Sequence, residues 1–196
     1  MTNKIIEILE KHQINGFNHR GGTDKASDHS YDNFYAESFE SYLNKKTTIL
    51  EIGVQYGGSS LLWHDYLPQS QLVLVDIKNQ VNEYIFSSMN PERYVFYEID
   101  AFKDENLKFL SDTYPEGFDI IVEDGPHSLD SQIYTLQNYL PLLKENGILI
   151  IEDIQDGNYV KILMESIKNI EHKSIELVDL RHIKRRYDDL LIVVKK

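Results

Sequence analysis

Cysteine is absent from the 196-residue sequence, and proline is scarce, with 5 residues. Without a thiol the chain cannot form disulfides, thiolate-bound zinc or iron–sulfur sites, or a cysteine nucleophile. The 41% of hydrophobic residues and the 10 glycines are ordinary for a globular protein, and they exclude collagen-like and low-complexity chains. Against roughly 100 to 200 residues per domain, the length predicts one domain with a short appendage.

Positive charge is in short supply, since 20 lysines and arginines stand against 32 aspartates and glutamates, a net charge of −12. Such a chain repels a phosphate backbone, so we expect no nucleic-acid partner. No stretch approaches the roughly 20 apolar residues of a membrane span. The first residues, MTNKIIEILEKHQ, read as a charged amphipathic helix rather than a secretion signal. We therefore expect a cytoplasmic protein without a membrane partner.

Short apolar segments alternate with longer segments of helical periodicity from residue 47 onward. This alternation predicts an α/β fold, with a mostly parallel sheet and helices on both faces. Runs such as LVLV, IIV and ILII are typical of strands covered on both sides. The predicted strands are residues 47–53, 71–77, 93–100, 118–124, 147–153, 174–180 and 189–195, and the predicted helices are residues 58–66, 81–89, 105–114, 129–144 and 159–171, preceded by helices to about residue 13 and over 31–43.

Acidic residues gather at the ends of the predicted strands, which is the edge where open parallel sheets bind ligands. An aspartate there can also be the N-cap of the next helix. Six acids at one edge favour a binding site over six caps. They are Glu51, Asp76, Asp100, Asp124, Glu152 and Asp153.

The segment LEIGVQYGGS, residues 50–59, ends a predicted strand in glycine and opens a helix. Glycine lets a ligand approach the backbone, and a helix start offers free amides. The pattern is not GxGxxG, which disfavours a nicotinamide oxidoreductase. Asp76 ends the next strand, where it is placed to accept hydrogen bonds from ribose hydroxyls. Asp100 is placed to face an adenine amino group, with Phe102 as apolar cover.

The segments LEIGVQYGGS, VDI and EIDAF, with a predicted terminal hairpin, resemble the class I S-adenosylmethionine-dependent methyltransferases. The resemblance covers roughly residues 47–196 and implies a Rossmann-like sheet of seven strands in the order 3-2-1-4-5-7-6, the last antiparallel. It implies S-adenosylmethionine as cofactor. It assigns to that cofactor Glu51, Gly53, Tyr56, Ser59, Asp76, Ile77, Asp100, Ala101 and Phe102.

Three carboxylates, Asp124, Glu152 and Asp153, follow two strands that are adjacent in this fold class. They would repel one another without a cation, and oxygen ligands select a hard ion such as Mg²⁺, Mn²⁺ or Ca²⁺. His127 could then serve as a general base, because histidine titrates near neutral pH. The alternative is that the acids are helix caps and His127 is a surface histidine.

Three further segments narrow the resemblance to the metal-dependent sugar O-methyltransferases of macrolide biosynthesis, the macrocin and mycinamicin type. They are GTDK (residues 22–25, followed by His29 and Tyr31), EDGPH (123–127) and IED (151–153). The likeness implies that Asp124, Glu152 and Asp153 hold Mg²⁺ (or Mn²⁺) and that His127 is the catalytic base. It implies that residues 22–25 close over the cofactor, which adds Thr23, Asp24 and Lys25 to the cofactor site. Asp124 is assigned to the cofactor as well as to the metal. The chain is accordingly divided into an N-terminal helical segment with this closing loop, residues 1–46, and a methyltransferase domain, residues 47–196.

A basic run, residues 181–186, follows the sixth predicted strand at the same edge of the sheet. Arginine suits bidentate recognition of an anion, so the hypothesis is that an anionic group of the acceptor binds here; a solvated turn is the alternative. The candidate acceptor contacts are Tyr31, Arg181, Lys184, Arg185 and Arg186. The aromatic residues at helical spacing over 31–42 fit core packing or a self-association face as well as a lid, so a homo-oligomer stays open.

The sequence thus favours an enzyme, a Mg²⁺-assisted O-methyltransferase. Its acceptor would be a small polar molecule, a sugar or a phosphorylated metabolite, in surface-polysaccharide or natural-product biosynthesis. A metal-independent methyltransferase is the first alternative. A non-catalytic cofactor-binding or oligomerising partner is the second.

Overall fold

Seven strands form one sheet in the computed structural model, which describes residues 3–196. Their order is β3-β2-β1-β4-β5-β7-β6, as the family resemblance implies. Strand β7 is antiparallel to both of its neighbours, and the other pairs are parallel. The strands are β1 (Thr48–Ile52), β2 (Gln71–Asp76), β3 (Tyr94–Glu98), β4 (Phe118–Glu123), β5 (Leu143–Ile151), β6 (Ser174–Asp179) and β7 (Leu190–Lys195).

Helices connect the strands and cover both faces of the sheet. The central strands alternate their side chains between two buried clusters: Ile49 packs into one cluster, and Leu50 and Ile52 into the other. The apolar runs of the sequence are continuous because each strand must supply both clusters. The helices are α1 (Lys4–His12), α2 (Asp32–Phe39), α3 (Gly58–Tyr66), α4 (Glu83–Ser88), α5 (Asp104–Thr113), α6 (Leu129–Asn138), α7 (Gly157–Ser166) and α8 (Arg181–Lys184).

Register at the carboxyl edge of the sheet brings the candidate residues together. Ile52, the last residue of β1, pairs with Val75 on one side and with Glu123 on the other. The residues that follow these positions are Gly53, Asp76 and Asp124. Three segments that are far apart in the chain therefore present the residues at or just beyond their strand ends side by side.

Two helices end earlier than the periodicity predicts. The helix expected over residues 129–144 ends at Asn138 and passes through a short 3₁₀ turn, Leu140–Leu142, into β5. Pro141 lies in that turn and has no N–H to continue a helix. The helix expected over residues 159–171 begins at Gly157, where Asp156 accepts from the amide of Asn158, and ends at Ser166. The predicted basic turn contains the four-residue helix α8.

The N-terminal segment packs onto one face of the sheet. Ile5, Leu9, Tyr35 and Phe39 belong to the same buried cluster as Trp63 of α3. Residues 1 and 2 of the predicted first helix lie outside the described residues. The boundary at residue 46 stays a prediction, because this segment shares its core with the following residues. Within residues 3–196, no helix has both the length and the apolar character needed to cross a membrane.

Candidate active site

A cavity of about 770 Å³ opens at the carboxyl edge of β1 to β4 and is lined by the loops that follow these strands. This volume is in the usual range for a small-molecule site. Most of the residues assigned from the sequence to the cofactor, the metal and the base line it. They are Thr23, Asp24, Gly53, Ser59, Asp76, Ile77, Asp100, Ala101, Phe102, Asp124, His127 and Asp153.

Gly53 lines the floor of the cavity, at a position that only glycine fits. Its φ is +89°, a left-handed conformation, and a Cβ at this position would lie 2.0 Å from the carbonyl oxygen of Asp124. The loops after β1 and β4 therefore touch through backbone atoms alone. The next helix, α3, begins after Gly57 without a side-chain cap, so its first amides are free to donate to a ligand.

Two aspartates present acceptors along one wall of the cavity. Asp76 Oδ2 accepts from the amides of Val54 (2.8 Å) and Gln55 (2.9 Å), which ties the glycine loop to β2. Its Oδ1 accepts from the amide of Lys78 at 3.1 Å and keeps a free lone pair. Asp100 accepts from the Phe102 amide through Oδ1. The wall can thus bind hydroxyl and amino groups.

The loop that contains residues 22–25 closes one side of the cavity. Gly22 and Gly58 meet backbone to backbone, since a Cβ on Gly58 would lie 2.0 Å from the carbonyl carbon of Gly22. Phe17 also lines the cavity and packs edge-on against Tyr56. Phe17 is not among the residues predicted from the sequence, although an aromatic residue in a glycine-rich loop is a signal for it. Lining residues without a predicted role also include Gln55, Gln80, Lys103, Ser128, Ser131 and Tyr134.

Three residues assigned to the cofactor do not line the cavity. Glu51 is fully buried and accepts from the Ser60 hydroxyl and, at 3.0 Å, from the Trp63 indole, so it fastens α3 to β1. Lys25 is 1% exposed and pairs with carboxylates beneath the cavity. The Tyr56 side chain lies outside and supports Phe17. These positions are corrections to the predicted cofactor contacts.

Asp124, His127 and Asp153 converge at the end of the cavity nearest β4 and β5. One ligand-type atom from each lies within 4.8 Å of the other two. His127 Nε2 is 3.8 Å from both Asp124 Oδ1 and Asp153 Oδ2, too far for hydrogen bonds. Both His127 (φ 52°) and Asp153 (φ 54°) adopt left-handed backbone conformations. Such strain is typical of functional sites, and it aims both side chains into the cavity.

Glu152, an expected metal ligand, contacts Lys25 and Tyr35, and its role as a ligand stays a prediction. Its carboxylate is buried, 1% exposed, and accepts from the Lys25 ammonium and from the Tyr35 hydroxyl. Burial raises the pKa of Glu152, while the Lys25 ammonium lowers it. Both carboxylate oxygens are thus engaged beneath the cavity. In this arrangement, the structure groups Asp124 and Asp153 with His127, and it leaves Glu152 out.

Tyr31 also differs from its predicted role as an acceptor contact. The side chain is fully buried, and its hydroxyl donates to Asp153 Oδ1 at 2.5 Å. His29 stacks on Tyr31 and bonds Asp189 through Nδ1 at 2.7 Å. Tyr31 therefore holds Asp153 in place. Burial, and after it the charge of Asp124, raises the pKa of Asp153 to about 6.

The basic turn carries one unpaired guanidinium. Lys184 Nζ donates to the carbonyls of Ala26 (2.7 Å), Ser27 (3.0 Å) and His29 (2.7 Å), which corrects its predicted contact with the acceptor. Arg181 pairs with Asp179 and Arg186 with Asp188, each through two hydrogen bonds. These carboxylates compete with any acceptor. Arg185 is exposed and makes no side-chain ion pair within residues 3–196.

Comparison with known proteins gives one family. A family model described as "Methyltransferase domain" matches residues 50–154. The 2'-O-methyltransferase of 8-demethyl-8-alpha-L-rhamnosyl tetracenomycin-C from Streptomyces olivaceus is 27% identical, and the match covers 69% of this chain and 36% of the relative. The mycinamicin VI 2''-O-methyltransferase of Micromonospora griseorubida is 29% identical, over 64% of this chain and 32% of the relative. The chain thus spans about a third of the length of these curated relatives.

Solved structures share the fold. The MycE methyltransferase of the mycinamycin biosynthetic pathway, in complex with Mg and SAH, superposes with a TM-score of 0.74 at 19% identity, covering 100% of this chain and 55% of that one. An O-methyltransferase from Bacillus cereus in complex with SAH gives a TM-score of 0.70 at 14% identity, covering 100% and 92%. At these identities the likeness shows the fold.

Proposed function

The chain belongs to the methyltransferase domain family, and we propose that it transfers a methyl group from S-adenosylmethionine to a hydroxyl of a small polar acceptor, with a divalent cation at the Asp124 end of the cavity. One observation carries the proposal. The cavity that presents Asp76 and Asp100 also holds the cluster of Asp124, His127 and Asp153. The wall that suits the methyl donor and the cluster that suits an acceptor hydroxyl therefore lie in the same cavity.

The chain's own residues fit the cofactor. Gly53 leaves backbone access where a side chain would collide, and the uncapped start of α3 offers amide donors beside it. The free lone pair of Asp76 Oδ1 suits a ribose hydroxyl, and Asp100 suits an adenine amino group. Phe102 and Phe17 line the cavity, and their rings suit the apolar cover of an adenine.

The cluster likewise fits a hard divalent ion such as Mg²⁺ or Mn²⁺. The carboxylates of Asp124 and Asp153 are the oxygen ligands that such ions prefer, and the His127 imidazole lies within 4.8 Å of both, where it is kept for the role of the base. Tyr31 fixes Asp153 through its hydroxyl, the kind of supporting contact that orients metal ligands. Lys25 pairs with Glu152 and with Asp124 Oδ2, so the oxygens that face His127 are Asp124 Oδ1 and Asp153 Oδ2.

When bound, S-adenosylmethionine supplies an electrophilic methyl group, and the divalent ion polarises the acceptor hydroxyl. His127 Nε2 points into the cavity within 3.8 Å of Asp124 Oδ1 and Asp153 Oδ2, and it takes the hydroxyl proton. Asp124 and Asp153 position the acceptor, and positioning supplies much of the rate. Because the relatives are named as methyltransferases of rhamnosyl tetracenomycin and mycinamicin, a sugar hydroxyl is the proposed acceptor group.

Calorimetric titration with S-adenosylhomocysteine (SAH), followed by a sugar acceptor screen with and without EDTA, tests the proposal. We expect one-site SAH binding, and transfer that EDTA abolishes. His127→Ala should keep SAH binding and lose about 10²–10⁴-fold in rate, whereas His172→Ala, remote from the cavity, should retain both. A folded protein that binds no SAH refutes the proposal. Transfer that resists EDTA refutes the metal role alone.

A further inference from the structure

A second, shallow and open cavity of about 600 Å³ lies against α8 and carries most of the basic run. Arginine dominates its lining, with a single carboxylate among the six residues. They are Asp179, Arg181, His182, Arg185, Arg186 and Tyr187. The chain has a net charge of −12, so this cavity is a positively charged patch on a negatively charged protein.

The ion pairs in and beside this cavity leave one arginine without a carboxylate partner in the described part of the chain. Asp179 neutralises Arg181, with Nη2 to Oδ2 at 2.6 Å, and Asp188 neutralises Arg186, with Nη2 to Oδ2 at 2.8 Å. Arg185 has no carboxylate partner among residues 3–196, and its backbone is left-handed, with a φ of 62°. A guanidinium in this position offers two parallel N–H donors to an incoming anion.

The turn that carries Arg185 is fixed next to the acid cluster. Lys184 ties it to the loop of residues 26–29 through three carbonyls. On the other side, the Tyr187 hydroxyl donates to Gln155 Oε1 at 2.8 Å, and Gln155 Nε2 donates to the Asp153 carbonyl at 3.1 Å. A continuous row of contacts therefore runs from the basic cavity to Asp153.

We propose that the cavity lined by Arg185 and His182 binds the phosphate of a phosphate-bearing acceptor whose hydroxyl lies at Asp153 and His127. The inference rests on the proposed function and narrows its acceptor class. Arg185 binds the phosphate through a bidentate pair, and His182 adds a donor. Arg181 and Arg186 stay paired with Asp179 and Asp188, so the net positive charge that meets the phosphate is that of Arg185. A neutral sugar gains nothing from this charge.

Calorimetric titration of the full chain with inorganic phosphate and with inorganic pyrophosphate, in EDTA, tests the binding site. Saturable binding is expected for at least one probe: preference for pyrophosphate indicates a diphosphate acceptor, and preference for phosphate a monoester. Arg185→Gln should weaken binding about tenfold or more, since a charge-assisted hydrogen bond contributes about 1.5–3 kcal/mol. Lys46→Gln removes an exposed cation near the amino end of β1 and should leave binding unchanged.

SAH titration of the same samples separates the two proposals. We expect Arg185→Gln to bind SAH like the parent chain. If SAH binds while neither probe does, or if both variants bind the probes equally to the parent, the phosphate site is refuted and the methyltransferase proposal stands. If SAH fails to bind a folded sample, the proposed function fails, and with it the assignment of the phosphate to an acceptor.

Discussion

The Lys25 ammonium nitrogen lies 2.7 Å from Oδ2 of Asp124, although 99 residues separate them in the chain. The same ammonium pairs with Glu152, whose other oxygen accepts from Tyr35. Burial by itself lowers the pKa of Lys25, but the two carboxylates raise it well above its usual value, so the lysine stays charged. A single cation thereby joins the closing loop to the ends of β4 and β5.

Lys25→Met should destabilise the fold. Removing one partner of a buried ion pair leaves the other uncompensated, at a cost of about 3–5 kcal/mol. Urea unfolding monitored by circular dichroism gives the loss, and Lys46→Met, at an exposed site, is the matched control. Lys25→Met combined with Glu152→Gln should recover part of the stability. A loss below about 1 kcal/mol, the typical value of a surface pair, would contradict the structural role of Lys25.

Tyr31→Phe should weaken binding of the divalent ion without disturbing the cofactor. The variant removes the hydroxyl that donates to Asp153 Oδ1 at 2.5 Å, and loss of such a supporting contact lowers metal affinity about 10–100-fold. Calorimetric titration with Mn²⁺ measures the change, and SAH affinity checks the cofactor site. Tyr42→Phe removes a hydroxyl that bonds only the Asn146 carbonyl and should leave Mn²⁺ affinity intact. Equal affinities in the two variants would rule out Tyr31 as a support of the ion site.

Sequence reasoning recovers the elements whose signal is local. The strands, the carboxyl edge and cavity residues such as Asp76 and Asp100 follow from apolar runs and residues at strand ends, whereas the order of the strands follows from the family resemblance. Tyr31 shows the limit, because helical spacing of aromatics is the same for a lid and for a core. The pairing of Lys25 with Glu152, 127 residues away, has no local signal at all.

The basic run illustrates the same limit at the surface. Six consecutive residues predict a positive turn, but the partners of each cation depend on the fold. Lys184 reaches three carbonyls of a loop more than 150 residues earlier, which no spacing rule indicates. Arg185 stands apart only once its neighbours have been assigned to Asp179 and Asp188.

Asp76→Asn should weaken SAH binding about tenfold or more. An amide has one acceptor oxygen, whereas the carboxylate accepts from Val54 and Gln55 through one oxygen and from Lys78 through the other. The loss of a charged acceptor, worth about 1.5–3 kcal/mol, should appear in the calorimetric SAH affinity. Glu98→Gln alters an acid at the end of neighbouring β3, which accepts from Asn79 at 3.1 Å. It should bind SAH normally, and an equal loss there would argue against a specific role for Asp76.

Asp65→Asn should change how the free energy of unfolding depends on pH between pH 3 and pH 6. Burial alone raises the pKa of Asp65, but hydrogen bonds from His12, Lys11 and His64 outweigh it and hold the pKa below its usual 3.8. As the pH falls, Asp65 therefore becomes protonated in the unfolded chain before it does in the folded chain. The stabilisation is complete above pH 3.8 and is lost progressively as the pH falls below it. At pH 6 the variant should be about 1.5–3 kcal/mol less stable.

Urea unfolding of both proteins from pH 3 to pH 6 checks this sign. The stability difference between the parent chain and Asp65→Asn should shrink toward the acid end. Asp112→Asn removes an exposed carboxylate paired with Lys108 in the same helix and should give a small difference throughout. A gap for Asp65→Asn that widens as the pH falls would show that the sign is wrong.

Gly53→Ala should disrupt both the fold and the site, because the added Cβ would lie 2.0 Å from the Asp124 carbonyl oxygen at a φ of +89°. Left-handed strain and overpacking each cost about 1–3 kcal/mol. Gly157→Ala is the matched control: its Cβ would have no neighbour nearer than 3.9 Å, and it should gain about 0.4–1 kcal/mol. Thermal unfolding and SAH titration of both variants measure the contrast. If Gly53→Ala were as stable as the parent chain and bound SAH equally, the loops after β1 and β4 could not be in backbone contact, and the floor of the cavity would need another construction.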